Sequence, residues 1–276
     1  MKIKNIFNLF TLLVCIFVSF TSCNLDNIAS SAENLTATAI DEAQAASIND
    51  EIVTTADHYT SNSFFTGLKV KSQNVSDDDT TTIVTIDSIK NPRVLTISFG
   101  STGVKGKRGN TLKGKIKVAI TAKPYNLGAK RTITFVDFYV NNNRVKGNKT
   151  TIYNGNESWS ISANDTILTT DNKTIIWKTD RTRKRVEGSA TPTVFIDDKY
   201  EITGNSSGVN KNGKEFTMVI DNNKPLVLDG AYPYFVSGAI TITSEKNTIL
   251  VDYGSGTKDA KATATVNGVS KEFSLR

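Results

Sequence analysis

The chain is poor in the residues that carry thiol and imidazole chemistry. Its 276 residues include two cysteines and one histidine. Cys15 lies in an apolar run near the N terminus, and removal of that run leaves Cys23 as the one cysteine. Disulfide bonds within the chain and thiolate metal sites are therefore excluded, and we predict neither a metal nor a cofactor. His58, at the end of a predicted helix, is interpreted as a structural histidine and not as a catalytic base.

The chain also has no large excess of charge of one sign. It contains 33 basic and 27 acidic residues. Residues 1–22 hold two lysines and no acid, so their removal leaves 31 basic and 27 acidic residues, a net charge of +4. A charge this small and this evenly spread does not indicate a nucleic-acid partner. A surface of anionic lipid or anionic polysaccharide is a closer match.

The first 23 residues have the layout of a bacterial lipoprotein signal. Lys2 and Lys4 precede an apolar run over residues 6–20, and the run ends in FTSC at 20–23. The run is short and ends abruptly, which is typical of a signal peptide and not of a membrane-spanning helix. We expect cleavage before Cys23 and acylation of its thiol, with palmitate-type chains that anchor the protein stably. The aromatic at position 20 departs from the usual aliphatic, and an ordinary secretory signal or a single-pass anchor are the alternatives.

Four segments follow from the composition of the chain. They are a signal peptide over 1–22, a flexible tether over 23–30, a helical segment over 31–60 and a β domain over 65–276. In the helical segment one narrow apolar stripe recurs every four residues, at Ile40, Gln44, Ile48, Ile52 and Ala56. This helix either docks on a sheet or serves as a tether or partner-binding element. Asn24 after Cys23 favours a location at the outer membrane, and the sequence does not decide between its periplasmic and its surface face.

The β domain consists of alternating segments separated by Gly, Asn and Asp turns. In the segment 115–123, Ile116, Val118 and Ile120 alternate with lysine and threonine, which predicts one buried and one solvated face. Similar alternation occurs at 94–99, 132–140, 158–163, 174–186, 216–220, 239–243 and 248–253. No crossover helix is evident, so we predict an all-β fold with an N-terminal helix: an antiparallel meander that curls into a partial barrel or folds into a two-layer sheet.

One charged strand is the strongest candidate for ligand binding. Period-two alternation places four side chains on one face, namely Trp177, Arg181, Arg183 and Arg185. An aromatic ring and guanidinium groups on one face suit a sugar acid or a phosphorylated glycan. The alternative is a long edge strand that charge protects from aggregation.

Three other segments have weaker claims to a site. The loop 252–259 has carboxylates seven apart and suits either a cation or a glycine-rich turn, of which the turn is favoured. The lysine-rich and glycine-rich stretch 105–115 is interpreted as an exposed hairpin loop and not as an anion site. The aromatics Trp159, Tyr232, Tyr234 and Phe235 form either a stacking platform for sugars or part of the core.

Several short motifs occur in a recognisable order along the chain. They are TISFGSTG at 96–103, KGKI at 113–116, ITF at 133–135, YVN at 139–141, YEITG at 200–204, NGK at 212–214, DYGSGT at 252–257 and ATATVNG at 262–268. With the alanine-rich, acidic helix they make the chain similar to a family of β-rich lipoproteins of Bacteroidota-type Gram-negative bacteria. The resemblance implies a β-rich cell-envelope protein and supplies no activity.

These observations predict an outer-membrane lipoprotein without a catalytic site that acts as a structural or ligand-binding component of the envelope. Its predicted partners are the membrane, through the lipid anchor, and a glycan or anionic polysaccharide. A lipid- or glycan-carrying β module is the alternative function, because a curled meander can enclose a ligand. A glycan-active enzyme is a weaker alternative, since paired carboxylates are brought together only by the fold.

Overall fold

A computed structural model describes residues 25–65, 73–75, 82–87, 89, 91–191 and 194–275. The predicted signal peptide and Cys23 lie outside the described residues. Within them the chain forms one antiparallel β-sheet and one N-terminal helix, which confirms the predicted all-β fold with an N-terminal helix.

The helix α1 (Leu25–Phe65) is longer than the sequence predicts. It begins six residues before the predicted start at 31 and includes residues 25–30, where we expected a flexible tether. The stretch 25–30 contains neither proline nor glycine, the two residues least favourable in a helix. At a rise of 1.5 Å per residue the helix is about 60 Å long.

Sixteen strands follow the helix in the part of the chain that the structure describes. They are β1 (Gln73–Val75), β2 (Thr82–Asp87), β3 (Arg93–Ser98), β4 (Val104–Lys105), β5 (Thr111–Ile120), β6 (Lys130–Val140), β7 (Asn143–Gly155), β8 (Ser158–Leu168), β9 (Thr174–Glu187), β10 (Lys199–Val209), β11 (Glu215–Ile220), β12 (Leu226–Asp229), β13 (Ser237–Ser244), β14 (Asn247–Ser255), β15 (Lys261–Val266) and β16 (Val269–Ser274). Neighbours along the chain pair in the sheet, except that β4 pairs only with β5, and β12 lies beside β10 and β13. All described pairings are antiparallel, as predicted for a meander.

Buried and exposed side chains alternate along the longer strands. In β9 every second side chain from Ile175 to Arg185 is buried, and those between them are exposed. The strands β7 and β10 are missing from the sequence prediction. Their inward faces carry the polar residues Lys149, Thr151 and Ser206. Apolar and polar residues therefore do not alternate in step with burial along these strands.

The sheet curls around α1. The helix contacts β5 in one half of the sheet, β9 near its middle and the four strands β13 to β16 in the other half. From Thr36 to Ser61 nearly every side chain of the helix is buried, including those of Glu42, Asn49 and Glu51. The prediction of one narrow apolar stripe is therefore incomplete, because the polar faces of the helix are buried as well.

The helix runs from one end of the sheet to the other. At the turn end, defined by the short β6–β7, β8–β9 and β10–β11 turns, Asn210 donates a hydrogen bond to Thr38 Oγ1 at 2.8 Å. At the loop end, defined by the β5–β6 loop (121–129) and the β9–β10 loop (188–198), Asp57 and His58 lie beside Pro124 and Phe195. The N-terminal part of α1 thus enters at the turn end.

Candidate functional site

Ion pairs join the helix to the inward face of β9. Glu42 accepts hydrogen bonds from Trp177 Nε1 at 2.5 Å, from Arg181 Nη2 at 2.9 Å and from Ser206 Oγ at 3.0 Å. Glu42 and Arg181 are both almost fully buried. Burial raises the pKa of Glu42, and the positive charge of Arg181 only partly offsets that increase. The two residues therefore form a buried polar link between helix and sheet.

A second link is made by Glu51, which accepts hydrogen bonds from the loop between β4 and β5. Its carboxylate receives the backbone N–H groups of Arg108 and Asn110, both at 3.1 Å, and the side-chain amide of Asn110 at 2.9 Å. The Arg108 side chain turns inward and donates to the carbonyl oxygens of Gly230, at 3.0 Å, and Tyr232. The interpretation of 105–115 as an exposed loop is therefore wrong for Arg108, which finds its acceptors more than a hundred residues along the chain.

A small cleft opens at the loop end, around the C-terminal part of α1. It is lined by Thr54, Asp57, His58, Ser61, Asn62, Pro124, Tyr125, Arg131, Trp159, Arg183, Arg185, Phe195, Asp198 and Tyr200. We call it the loop-end cleft. Its cavity volume of about 30 Å³ admits a small group such as a carboxylate, whereas a whole sugar ring would have to extend into the open part of the cleft.

Aromatic rings form one side of the loop-end cleft. The ring centroid of Trp159 lies 6.1 Å from that of Tyr125 and 6.3 Å from that of Tyr200, with edge-to-face geometry in both pairs. The guanidinium carbon of Arg183 lies 4.4 Å from the Tyr200 centroid, and that of Arg185 lies 5.8 Å from the Tyr125 centroid. The arginines are thus held over ring faces by cation–π contact.

The arginines of the cleft are paired with an equal number of carboxylates. Three arginines and two carboxylates line the cleft, and a third carboxylate, that of Glu157, accepts a hydrogen bond from Arg185 Nε at 2.7 Å. Asp57 pairs with Arg131 at 2.5 Å and with Arg183. Arg185 Nη1 donates to Asp198 at 3.2 Å. Burial raises the pKa of Asp198 against the opposing effects of the Tyr200 hydroxyl and Arg185.

Arg183 retains unused hydrogen-bonding capacity. Its side chain is 1% exposed, and its Nε and Nη1 atoms have no hydrogen-bond partner among the described residues. The Thr54 hydroxyl, which also lines the cleft, likewise has no hydrogen-bond partner among the described residues. Buried donors without partners carry an energetic cost, and an acceptor group bound in the cleft would relieve it.

The structure divides the four residues that the sequence singled out. All four share the inward face of β9, as the alternation predicts. Trp177 and Arg181 are buried against Glu42, whereas Arg183 and Arg185 line the loop-end cleft. The edge-strand alternative is wrong, because β9 lies between β8 and β10. Binding of a sugar acid at these residues stays a prediction.

The aromatics considered as a platform are likewise separated. Trp159 belongs to the loop-end cleft, while Phe235 packs edge-to-face on Tyr253 in the core at 5.3 Å between centroids. Tyr232 and Tyr234 contact each other at 6.0 Å. The predicted platform of four rings is therefore not assembled as one surface.

Several cleft residues carried no signal in the sequence. Tyr125 lies in a loop, Asp57 on the helix, and Arg131 and Tyr200 at the starts of strands. No local pattern joins these segments. The period-two placement of Arg183 and Arg185 and the candidate aromatic Trp159 pointed toward this place in the fold, and His58, interpreted from the sequence as structural, lies there as well.

Comparison with protein-family models, curated proteins and solved structures gives no match. Among the described residues, no group of three or more His, Cys, Asp or Glu side chains is arranged to hold a metal ion. The helix in the described part of the chain is not apolar enough over a sufficient length to cross a membrane.

Proposed function

We propose that the protein is an outer-membrane lipoprotein, anchored by acylated Cys23, that binds an acidic saccharide of the cell envelope at the loop-end cleft. The anchor is supported by the sequence pattern of residues 1–23. No catalytic role is part of the proposal.

The observation that carries the ligand assignment is the convergence of three guanidinium groups and several aromatic rings in one cleft. Guanidinium groups bind carboxylates through paired hydrogen bonds, and aromatic faces pack against the apolar side of a sugar ring. The unused donors of Arg183 favour a ligand that bears a carboxylate. The small enclosed volume suits that carboxylate, with the ring in the open part of the cleft.

A carrier that encloses its ligand within the curled sheet finds less support. The concave face of the sheet is covered by α1 over residues 36–61, and their side chains, such as Ile52 and Ala56, are buried in the core cluster. A ligand inside would have to displace the helix and break the link between Glu42 and Arg181. The cleft requires no such displacement.

The anchor is tested by replacing each cysteine in turn. Cys23→Ala removes the acylated thiol, so we expect the folded protein to leave the membrane fraction of cells. Cys15→Ala is the matched control, because this cysteine lies in the segment that is removed, and the protein should stay with the membranes. Retention of the Cys23→Ala protein in the membrane fraction would overturn the anchor.

The ligand assignment is tested with two neighbouring substitutions on β9. Arg185→Gln and Lys184→Gln each remove one positive charge, but Arg185 faces the cleft and Lys184 is exposed on the other face. In titration calorimetry with a glucuronate oligosaccharide, we expect Arg185→Gln to weaken binding about tenfold or more, as for a hydrogen bond to a charged group. Lys184→Gln should change it little, because salt screens an exposed charge.

Two further measurements keep this test decisive. If Arg185→Gln unfolds the domain, Tyr125→Ala removes a cleft ring from a loop and should weaken the same binding. A glucose oligosaccharide of equal length should bind more weakly than the acidic one to the unmodified protein. Equal losses from Arg185→Gln and Lys184→Gln, or equal binding of the two oligosaccharides, would refute the assignment.

A further inference from the structure

A second pocket, at the turn end, differs in chemistry from the loop-end cleft. It is lined by Gln44, Ser47, Ile48, Asn110, Asn141, Asn143 and Thr170. We call it the amide pocket. Its cavity volume is about 200 Å³, compared with about 30 Å³ for the cleft. Six of its seven lining residues are polar and none is charged, so it offers a ligand mainly hydrogen bonds and no charged partner.

The asparagines of the amide pocket are held in place by the fold. Asn141 has a left-handed backbone with φ of 48°, in the turn between β6 and β7. Its side-chain oxygen accepts the backbone N–H of Thr111 at 2.8 Å, and its side-chain nitrogen donates to Asn110 Oδ1 at 2.7 Å. Asn110 in turn donates to Glu51 at 2.9 Å. This chain of hydrogen bonds orients the amides before any ligand arrives, which lowers the entropic cost of binding.

Several polar groups in the pocket remain available to a ligand. Asn143, which is 6% exposed, donates to the carbonyl oxygens of Val140 and Asn141, and its Oδ1 accepts no hydrogen bond from the described residues. Gln44 and Thr170 make no side-chain hydrogen bond within the described part of the chain. The pocket therefore presents an amide of either polarity, a hydroxyl and a buried acceptor.

We propose that the amide pocket binds a neutral sugar. A sugar hydroxyl both donates and accepts hydrogen bonds. It therefore matches a pocket lined by amides and hydroxyls better than a ligand group that can only donate or only accept. A charged ligand would lose its hydration without gaining a charged partner, because no lining side chain is ionised. The volume suits one sugar ring, and Ile48 gives the ring an apolar contact. The site is independent of the anchor and of the loop-end cleft.

The experiment uses the full-length protein in a zwitterionic detergent, since sugar-based detergents would compete. Glucose, galactose, mannose and N-acetylglucosamine are titrated separately while the side-chain amide resonances of Asn110, Asn141 and Asn143 are followed by NMR. Glucuronate provides the acidic comparison. We expect at least one neutral sugar to shift these resonances saturably, and glucuronate to bind the pocket more weakly than the neutral sugars.

The double variant Gln44→Leu with Thr170→Val removes two ligand groups that make no described side-chain hydrogen bond. Each lost hydrogen bond should weaken binding about two- to tenfold. Thr174→Val is the matched control, because Thr174 is exposed at the start of β9, outside the pocket. Three results would each overturn the proposal. They are the absence of any shift with every neutral sugar at tens of millimolar, shifts that the double variant leaves unchanged, and binding of glucuronate at these amides that equals binding of the neutral sugars.

Discussion

Removal of Glu42 is predicted to destabilise the fold severely, because its partner is a buried cation. Glu42 is 1% exposed and Arg181 is 3% exposed, with 2.9 Å between Oε1 and Nη2. Loss of one partner of a buried ion pair typically costs about 3–5 kcal/mol, since the remaining charge is left without compensation. Trp177 and Ser206 would also lose their acceptor. We therefore expect Glu42→Leu to lower the free energy of unfolding by about 3–5 kcal/mol.

The double variant separates the ion pair from the packing around it. In Glu42→Leu with Arg181→Met neither charge remains, so most of the loss should be recovered, and such replacements range from neutral to about 1–4 kcal/mol stabilising. Lys261 and Glu272 form a pair of similar length, 2.9 Å, with side chains 52% and 59% exposed. Glu272→Gln should therefore cost at most about 1 kcal/mol.

Urea unfolding is the appropriate assay, followed by far-UV circular dichroism. Tryptophan fluorescence is unsuitable here because Trp177 is itself bonded to Glu42. The reasoning would be refuted if Glu42→Leu cost no more than Glu272→Gln. It would also be refuted if the double variant were as unstable as the sum of the two single variants, because sites without coupling are additive.

Two predictions concern pH and orientation. Burial raises the pKa of four carboxyl groups above the ordinary values of 3.8 for aspartate and 4.5 for glutamate, namely those of Asp41, Glu42, Asp165 and Asp198. As pH rises, the unfolded chain therefore releases these protons before the folded protein does. The free energy of unfolding should fall as pH rises above those values. Urea titrations across this range should show a shallower fall for Glu42→Gln, and an unchanged slope would contradict the assignment. If the anchor is correct, the acylated protein on vesicles should hold the turn end nearer the membrane than the loop end, because α1 enters the sheet at the turn end. Energy transfer to a headgroup acceptor should therefore be stronger from a dye on Asn142→Cys than on Leu127→Cys, and the reverse order would contradict this orientation.

Long strands could be predicted from sequence where apolar residues alternate with polar ones over several positions, as along β5 and at Ile175 and Trp177 in β9. The alternation in β5 and β9 identified both, and in β9 it also placed the arginines on the face of Trp177. Strand β7 escaped prediction because its inward residue Lys149 is polar. That lysine is buried only because it pairs with Asp165 on β8, a partner that a single strand does not reveal.

The burial of the helix could not be predicted for a similar reason. Glu42 and Asp57 read as solvated acids until their partners are known, and those partners, Arg181 and Arg183, lie 139 and 126 residues away in the chain. The same holds for the loop-end cleft, which joins a helix, two loops and several strands. The arginines on one face of β9 indicated a binding site for an acidic group. The position of that site in the molecule could be found only from the fold.

The central claim, an acidic saccharide in the loop-end cleft, has a direct spectroscopic test. The chain contains two tryptophans, and Trp177→Phe leaves Trp159 as the single reporter within the cleft. A glucuronate oligosaccharide should change the fluorescence of Trp159 saturably, and a glucose oligosaccharide of equal length should not. Fluorescence that is unchanged by the acidic oligosaccharide, or changed equally by both, would contradict the account.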